Sequence, residues 1–208
     1  MYLFVYIRYK NKKGTIIMKK LIEAFFNKLF INNWMKNIKE NLIRQIGEEK
    51  TNSIFNELGT IQKCKTQTEK DNWLKQLFNK LTALNKQDQE NVMEKCGHKC
   101  LIPFIKTKAI KAWKKTNNIE LFIELLNQQH IGGGYLEKKG DFIYAKYKEC
   151  LCPIVNKSQI AIPAFYCDCS RGWFKELFET VFNKQVKVEQ LSTIKRGDDC
   201  CSFKILIP

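Results

Sequence analysis

Apolar residues in the first 130 positions recur at a spacing close to 3.6, which is typical of amphipathic helices. Residues 19–46 show it most clearly, with aromatic and aliphatic side chains every third or fourth position. Asp71 is a suitable N-cap for the third of these segments. The pattern predicts helices at 19–46, 51–58, 71–84, 87–100, 105–113 and 118–129.

The periodicity changes after the run of three glycines at 132–134, which favours backbone with positive φ. Two β-prone segments flank the turn sequence KKGD at 138–141 and predict a hairpin. Ser170 is a suitable N-cap for a helix at 171–182. Residues 186–194 and 200–207 alternate apolar and polar positions, as strands with one buried face do.

This order of elements predicts an α+β fold. We expect a helical N-terminal half packed on a small antiparallel sheet, completed by a C-terminal helix–strand–strand unit. A chain of 208 residues suits one domain, which we place at 18–208 and divide into a helical half (18–130) and a sheet-forming half (131–208). Residues 1–17 are interpreted as an N-terminal extension, either disordered or a start-site artefact.

The formal net charge of +15 raises the question of a nucleic-acid partner. Only four of the 36 basic residues are arginine, the side chain best suited to phosphates and base edges, and the lysines are scattered along the chain. A solvated lysine-rich surface is therefore preferred to a surface for nucleic acid or anionic lipid. The sequence contains no apolar run long enough to span a membrane and no convincing secretory signal, so we expect a cytoplasmic protein.

Cysteine is the most informative residue type in this chain. There are nine, and eight of them fall into close pairs: 96 with 100, 150 with 152, 167 with 169, and 200 with 201. In a reducing compartment, clustered cysteines are first considered as metal ligands or reactive groups. Thiolates select zinc or iron–sulfur clusters. The candidate metal ligands are Cys96, Cys100, Cys150, Cys152, Cys167 and Cys169.

The spacings differ from the familiar Cys-x2-Cys knuckle, so two alternatives stay open. One is ordinary packing, because free cysteine is often buried as a small apolar residue. The other is a reactive thiolate at Cys169 or Cys167, favoured by the helix N-terminus that follows and by Arg171. His98, or otherwise His130, is then the candidate base. Cys64, which stands alone, is expected to be incidental.

Three C-terminal stretches carry a family resemblance: YCDCSRGWF (166–174), VKVE (186–189) and RGDDCCSFKI (196–205). They resemble the C-terminal part of vinyl-4-reductase-type small-molecule-binding domains and of aminothiazoline-carboxylate hydrolase-like proteins. The nearer similarity is to uncharacterised bacterial and archaeal proteins with a Cys-x-Cys-Ser-x-Gly-Trp element.

The resemblance implies an α+β fold with an apolar ligand pocket between helices and sheet, and cysteines that serve as metal ligands. Carried over to this chain, the helix-start elements are Cys167, Cys169, Gly172 and Trp173, the turn glycine is Gly197 and the strand cysteine is Cys201. The candidate ligand-binding residues are Arg171, Gly172, Trp173 and Gly197. Gly172 lies early in a predicted helix, where glycine is costly, so another group is expected to approach its backbone closely.

The leading hypothesis is a protein that binds a small molecule at a cysteine-rich site, with zinc or an iron–sulfur cluster as the possible cofactor. The alternative is a thiolate-dependent hydrolase that acts on a small cyclic amidine or a related substrate. A lysine-rich nucleic-acid binder is the third hypothesis, and the sequence disfavours it.

Overall fold

The computed structural model describes residues 16–207, with side chains described from residue 28 onward. The interpretation of residues 1–17 as an extension therefore lies outside the described residues, except that residues 16 and 17 begin the first helix. Seven α-helices occur in the described chain: α1 (Ile16–Ile46), α2 (Glu48–Leu58), α3 (Gln67–Thr82), α4 (Lys86–Cys100), α5 (Pro103–Thr116), α6 (Ile119–Gln128) and α7 (Asp168–Phe182).

A four-stranded antiparallel sheet follows the first six helices. Its strands are β1 (Leu136–Lys139), β2 (Phe142–Tyr147), β3 (Val188–Ser192) and β4 (Cys201–Leu206), in the spatial order β1-β2-β4-β3. The glycine-containing turn joins β1 to β2 as predicted, and Gly132, Gly133 and Gly134 all have positive φ. The predicted α+β class, with a C-terminal helix followed by strands, is confirmed.

The buried apolar residues form two adjoining cores. One lies between the inner face of the sheet and α5, α6 and α7, and it includes Phe174 and Phe203, whose rings lie 4.9 Å apart. The other joins α1, α3 and α4 to the loop at 148–163, with Trp34 and Tyr166 at its centre. Helices α4 and α7 lie where the two cores meet.

Two glycines allow α4 and α7 to pack backbone against backbone. A Cβ added to Gly97 would lie 1.9 Å from the carbonyl oxygen of Cys169, and one added to Gly172 would lie 1.9 Å from the carbonyl oxygen of Glu94. Both distances are impossible for real atoms, so only glycine fits either position. The expectation that another group approaches the Gly172 backbone is confirmed, and that group is the backbone of α4.

Several predicted element boundaries were wrong. Helix α3 begins at Gln67, because Thr66 and Glu69 form a capping box, whereas Asp71 is buried inside the helix. Helix α7 begins at Asp168, because a 3₁₀ turn at Ala164–Cys167 leads directly into it, so Ser170 is not its N-cap.

No helix in residues 16–207 has both the length and the apolar character needed to cross a lipid bilayer.

Candidate functional site

A small cavity lies at the junction of the two cores, and cysteine dominates its wall. Its volume is ≈ 40 Å³. Six cysteine residues from four separate parts of the chain line it: Cys100, Cys150, Cys152, Cys167, Cys169 and Cys201. All six are free thiols. Five of the six predicted ligand residues therefore lie around one cavity.

Four parts of the fold supply these cysteines, and Cys167 ends the 3₁₀ turn that leads into α7. Cys100 is the last residue of α4, and Cys169 lies in the first turn of α7, so the glycine crossing of these helices brings them together. Cys150 and Cys152 lie in the loop after β2, and Cys201 begins β4. The tertiary fold thus brings together cysteines that are up to 101 positions apart in the sequence, from Cys100 to Cys201.

Cys100 and Cys169 form the closest described sulfur pair, with their Sγ atoms 4.0 Å apart. The Cys169 thiol donates to the Cys100 sulfur, and this contact lowers the pKa of Cys100. The same contact, together with burial, raises the pKa of Cys169 well above its ordinary value. One thiol of the pair is thus easier to deprotonate than the other.

Most of the remaining cavity wall is aromatic or apolar. It includes Phe30 and Trp34 of α1, Tyr147 of β2, Tyr166 and Trp173. The Tyr166 hydroxyl lies 3.5 Å from the sulfur of Cys152, and burial raises the pKa of both groups.

The remaining thiols of the wall are also held in their neutral form. Burial raises the pKa of Cys150 to about 11 and that of Cys167 to about 12. It also raises the pKa of Cys201. In the protein by itself these thiols are protonated near neutral pH.

Two polar side chains in the cavity wall are almost fully buried. The Thr193 hydroxyl group forms a hydrogen bond with the Cys167 side chain, which partly offsets the effect of burial on the pKa of Cys167. The Nε1 atom of Trp34 has no hydrogen-bond partner among the described residues. Buried polar groups are normally paired, so an unpaired one beside a cavity favours a bound water or ligand.

Three cysteines do not line the cavity. Cys96 is fully buried between α4 and α1, where Asn41 donates to its sulfur over 3.3 Å, and burial raises its pKa to about 12. Cys200 lies beside Ser192, and Cys64 follows the 3₁₀ turn after α2. Of the adjacent pair Cys200 and Cys201, only Cys201 lines the cavity, because neighbouring residues of a strand face opposite sides.

Metal binding is not prearranged in the described residues. Among them, no three or more His, Cys, Asp or Glu side chains are grouped so that they could hold a metal ion. The thiols share a cavity wall, but the only sulfur–sulfur contact recorded among them is the pair Cys100 and Cys169.

The predicted base, His98, lies in a charged cluster between α4 and α7. Its Nδ1 is 2.8 Å from a carboxylate oxygen of Glu176, and its Nε2 is 3.9 Å from one of Glu94. These two carboxylates raise the pKa of His98. His98 is not among the residues that line the thiol cavity, so the structure does not pair it with Cys169 or Cys167. The other candidate base, His130, precedes the glycine run and also does not line the cavity.

Arg171 belongs to the same charged cluster. Its guanidinium group binds Glu94 over 3.0 Å and lies 3.5 Å from Asp168. The Lys175 ammonium also binds Glu94, over 2.9 Å. Arg171 therefore links α7 to α4 through its ion pair with Glu94.

Of the other three predicted ligand-binding residues, one lines the cavity and two do not. Trp173 lines the cavity. Gly172 is covered by α4, as described above. Gly197 ends the turn before β4 with φ 96°, and a Cβ added there would meet no atom within 4 Å. Gly197 thus serves the turn and is not placed at the cavity.

Several residues of the cavity wall are not predicted from the sequence. Tyr166 directly precedes the Cys-x-Cys element, and Thr193 lies in the predicted strand at 186–194, directly after β3, so both belong to segments that the sequence singles out. Trp34 lies on α1, whose apolar spacing predicts only a helix with one buried face. No local pattern indicates that it reaches residues more than 100 positions away.

The sequence profile of one family, described as "Family of unknown function (DUF6144)", matches residues 31–208. The chain belongs to this family. The match includes every residue of the thiol cavity except Phe30. A comparison with curated proteins finds no match. Neither result tests the resemblance to vinyl-4-reductase-type or aminothiazoline-carboxylate hydrolase-like proteins, which stays a prediction.

Proposed function

We propose that this protein binds one small, thiophilic ligand in the thiol cavity, and that the ligand is a soft metal ion, with zinc as the first candidate. The observation that carries the proposal is the convergence of six free cysteines from four chain segments on one cavity. Thiolates are the ligands that zinc and other soft ions prefer.

The cavity volume favours a single ion over an organic molecule. Pockets for small organic ligands enclose roughly 300–1,000 Å³, whereas this cavity has ≈ 40 Å³. An iron–sulfur cluster needs four cysteine ligands around several iron and sulfide atoms, which is more space than the cavity offers.

Cys100 and Cys169 are the proposed anchoring ligands. Their sulfur atoms are 4.0 Å apart, close to the roughly 3.8 Å between two sulfurs of a tetrahedral zinc site with Zn–S of about 2.3 Å. Two thiolates also balance the charge of a divalent ion in an apolar cavity. Cys152 is the proposed third ligand, because it lines the same cavity as Cys100 and Cys169. Its pKa is raised by the nearby Cys100, and it in turn raises the pKa of Cys169.

Binding requires the thiols to lose protons that burial makes them retain. The proposal therefore expects strongly pH-dependent affinity, with proton release on loading. It also expects the lining side chains to rotate, because the described residues hold no ready set of three ligands.

The test is metal loading of the full-length reduced protein under anaerobic conditions. We expect about one zinc per chain by elemental analysis, and thiolate-to-metal charge-transfer absorption when Co²⁺ replaces it. Cys100→Ser combined with Cys169→Ser should abolish both signals. Cys64→Ser and Cys200→Ser, which change cysteines outside the cavity, are the matched controls and should leave them unchanged.

Two results would contradict the proposal. One is the absence of stoichiometric binding of zinc, Co²⁺ or Cu(I) by the folded protein. The other is equal loss of metal in the control variants, which would indicate adventitious binding to surface thiols. A co-purifying organic mass that depends on Cys100 and Cys169, seen by native mass spectrometry, would replace the ion with a small molecule.

The hydrolase hypothesis stays a prediction with less support. It needs a thiolate near neutral pH, yet burial raises the pKa of Cys167, and the hydrogen bond with Cys100 together with burial raises that of Cys169. His98 is held in the charged cluster. Rapid alkylation of either cysteine below neutral pH in the native protein would revive it.

A cytoplasmic location is part of the proposal. Its support is the set of nine free thiols in the folded protein, six of them sharing one cavity, since an oxidising compartment converts such thiols into disulfides.

A further inference from the structure

The outer face of the sheet differs from its inner face. Inward side chains such as Ile143 and Phe203 are fully buried. The outward positions of the strands alternate with them and carry the rings of Phe142 and Tyr144, which lie 6.5 Å apart. Tyr135, just before β1, is 51% exposed beside them.

Lysine side chains surround these three rings. The Lys204 ammonium lies 4.0 Å from the centre of the Phe142 ring, and the Lys148 ammonium lies 4.9 Å from that of Tyr135. The strand register adds three more lysines to this face or its rim, so the full set is Lys139, Lys146, Lys148, Lys187 and Lys204.

The net charge of this face is positive. Against the five lysines stand Glu137, which binds Lys139 over 2.9 Å, and Glu189, which lies opposite Lys204 in the register. The face therefore combines an excess of cations with aromatic rings set between them. It shares no residue with the thiol cavity.

We infer that the outer sheet face, with Phe142, Tyr144 and Tyr135 set among five lysines, is a binding surface for single-stranded nucleic acid. Unpaired bases stack on aromatic rings at a protein surface, and lysines bind the phosphates between them. Tyr135 is exposed, whereas Phe142 and Tyr144 are half-buried. A lipid surface also takes up aromatic rings beside cations, so the feature that favours the nucleic acid is the alternation of rings and lysines across neighbouring strands, which matches the alternation of bases and phosphates. Charge complementarity and the aromatic platform together favour the nucleic acid.

The lysines are scattered along the sequence, which argued against a nucleic-acid partner, but the fold brings several of them together. Lys139, Lys146 and Lys204 lie on three different strands, yet the antiparallel register brings them onto one face. The shortage of arginine has a different consequence. With few side chains suited to reading base edges, the surface is expected to tolerate any base sequence.

The test is fluorescence anisotropy of the full-length protein with a labelled oligothymidylate of about 12 nucleotides at low salt. We expect Tyr144→Thr to weaken binding about tenfold, the loss typical of one stacking platform, while keeping a strand-forming residue. Lys146→Gln with Lys204→Gln should lower the slope of log K against log salt by about 1.4. The matched charge control is Lys114→Gln with Lys115→Gln on α5, which should bind as the unchanged protein does.

Four outcomes would overturn the inference. The first is no detectable binding at low salt, and the second is equal weakening in the α5 control, which indicates general charge attraction. The third is Tyr144-dependent binding to phosphatidylserine vesicles without binding to the oligonucleotide. The fourth is Tyr144-dependent self-association in sedimentation velocity, which assigns the face to a second copy. Far-ultraviolet circular dichroism must show that each variant is folded. Because the cavity is not involved, failure here leaves the proposed function standing, and metal loading should be the same in all these variants.

Discussion

Gly97 and Gly172 lie on facing surfaces of α4 and α7, and each is pressed against the other helix's backbone. The contact is reciprocal, since Gly97 meets the carbonyl of Cys169 and Gly172 meets the carbonyl of Glu94. This close approach brings the end of α4 to the start of α7, where Cys100 and Cys169 meet. The thiol cavity therefore depends on two residues that contribute no side chain to it.

We expect Gly97→Ala and Gly172→Ala each to destabilise the fold by about 3 kcal/mol, because the new methyl group overlaps backbone that cannot rotate away. Urea denaturation measures the loss. Gly140→Asn is the control, since φ is 57° there, a Cβ meets no atom within 4 Å, and asparagine tolerates this conformation. A loss below about 0.5 kcal/mol in both alanine variants would show that the helices can separate without cost.

Glu94 should make the stability of the protein depend on pH. His98, Lys175 and Arg171 lower its pKa from 4.5 to about 2. A carboxyl group with a lowered pKa in the folded state stabilises the fold above its unfolded pKa, and that contribution is lost as pH falls from 4.5 towards 2. Since the group is only half buried, we expect Glu94→Gln to lose about 1–2 kcal/mol near neutral pH. The difference from the unchanged protein should shrink as pH falls below 4.5 and be small by pH 2.

The stability contributed by His98 should depend on pH in the opposite direction, so His98 is a control within the same charged cluster. Glu94 and Glu176 raise its pKa above 6.5, so its contribution is complete below that value and is lost as pH rises through the folded pKa. His98→Gln should therefore cost stability in mild acid and little in alkaline solution. If urea midpoints for both variants differ from the unchanged protein by the same amount at every pH, the cluster does not act through these charges.

Asp71 ties the loop that carries Cys150 and Cys152 to α3. Its carboxylate accepts the backbone N–H of Gln159 over 3.0 Å and the side-chain amide of Gln67 over 2.8 Å. We expect Asp71→Ala to cost about 2 kcal/mol, the scale of a hydrogen bond to a buried charge. Alkylation of Cys152 in the native protein should become faster at the same time.

The control for this effect is Asp199→Ala, at an exposed position before β4. It should leave both the urea midpoint and the alkylation rate of Cys152 unchanged. If Asp71→Ala lowered stability without exposing Cys152, the hydrogen bond would support α3 alone, and the loop would be held by its other contacts.

The order of helices and strands could be predicted from the sequence because it depends on local periodicity. The helix predicted at 19–46 and the β-prone segment predicted after the turn at 138–141 agree with α1 and β2 within a few positions, since their apolar spacing is set by the geometry of one element. The first residue of a helix is harder to predict than its apolar spacing. Thr66 and Asp71 both have N-cap side chains, and only the capping box with Glu69 distinguishes them.

The cavity could be predicted only in part. Cysteine pairing along the chain indicated five of its six thiols, since members of a close pair tend to share a location. Cys96 broke that expectation because its sulfur faces Asn41 of α1. The contributions of Trp34 and Thr193 arise from tertiary packing between distant segments, and no local spacing records that information.

Tyr166 connects the cavity to the aromatic core, and two substitutions separate its two roles. Its ring packs against Phe78 at 5.1 Å and Trp34 at 6.5 Å, while its hydroxyl group lies 3.5 Å from the Cys152 sulfur. Tyr166→Phe keeps the ring and should cost less than about 1 kcal/mol, whereas Tyr166→Ala leaves a void and should cost about 4 kcal/mol. Urea denaturation followed by tryptophan fluorescence measures both. If Tyr166→Phe were as damaging as Tyr166→Ala, the hydroxyl group beside Cys152, rather than the ring, would hold the wall of the cavity in place.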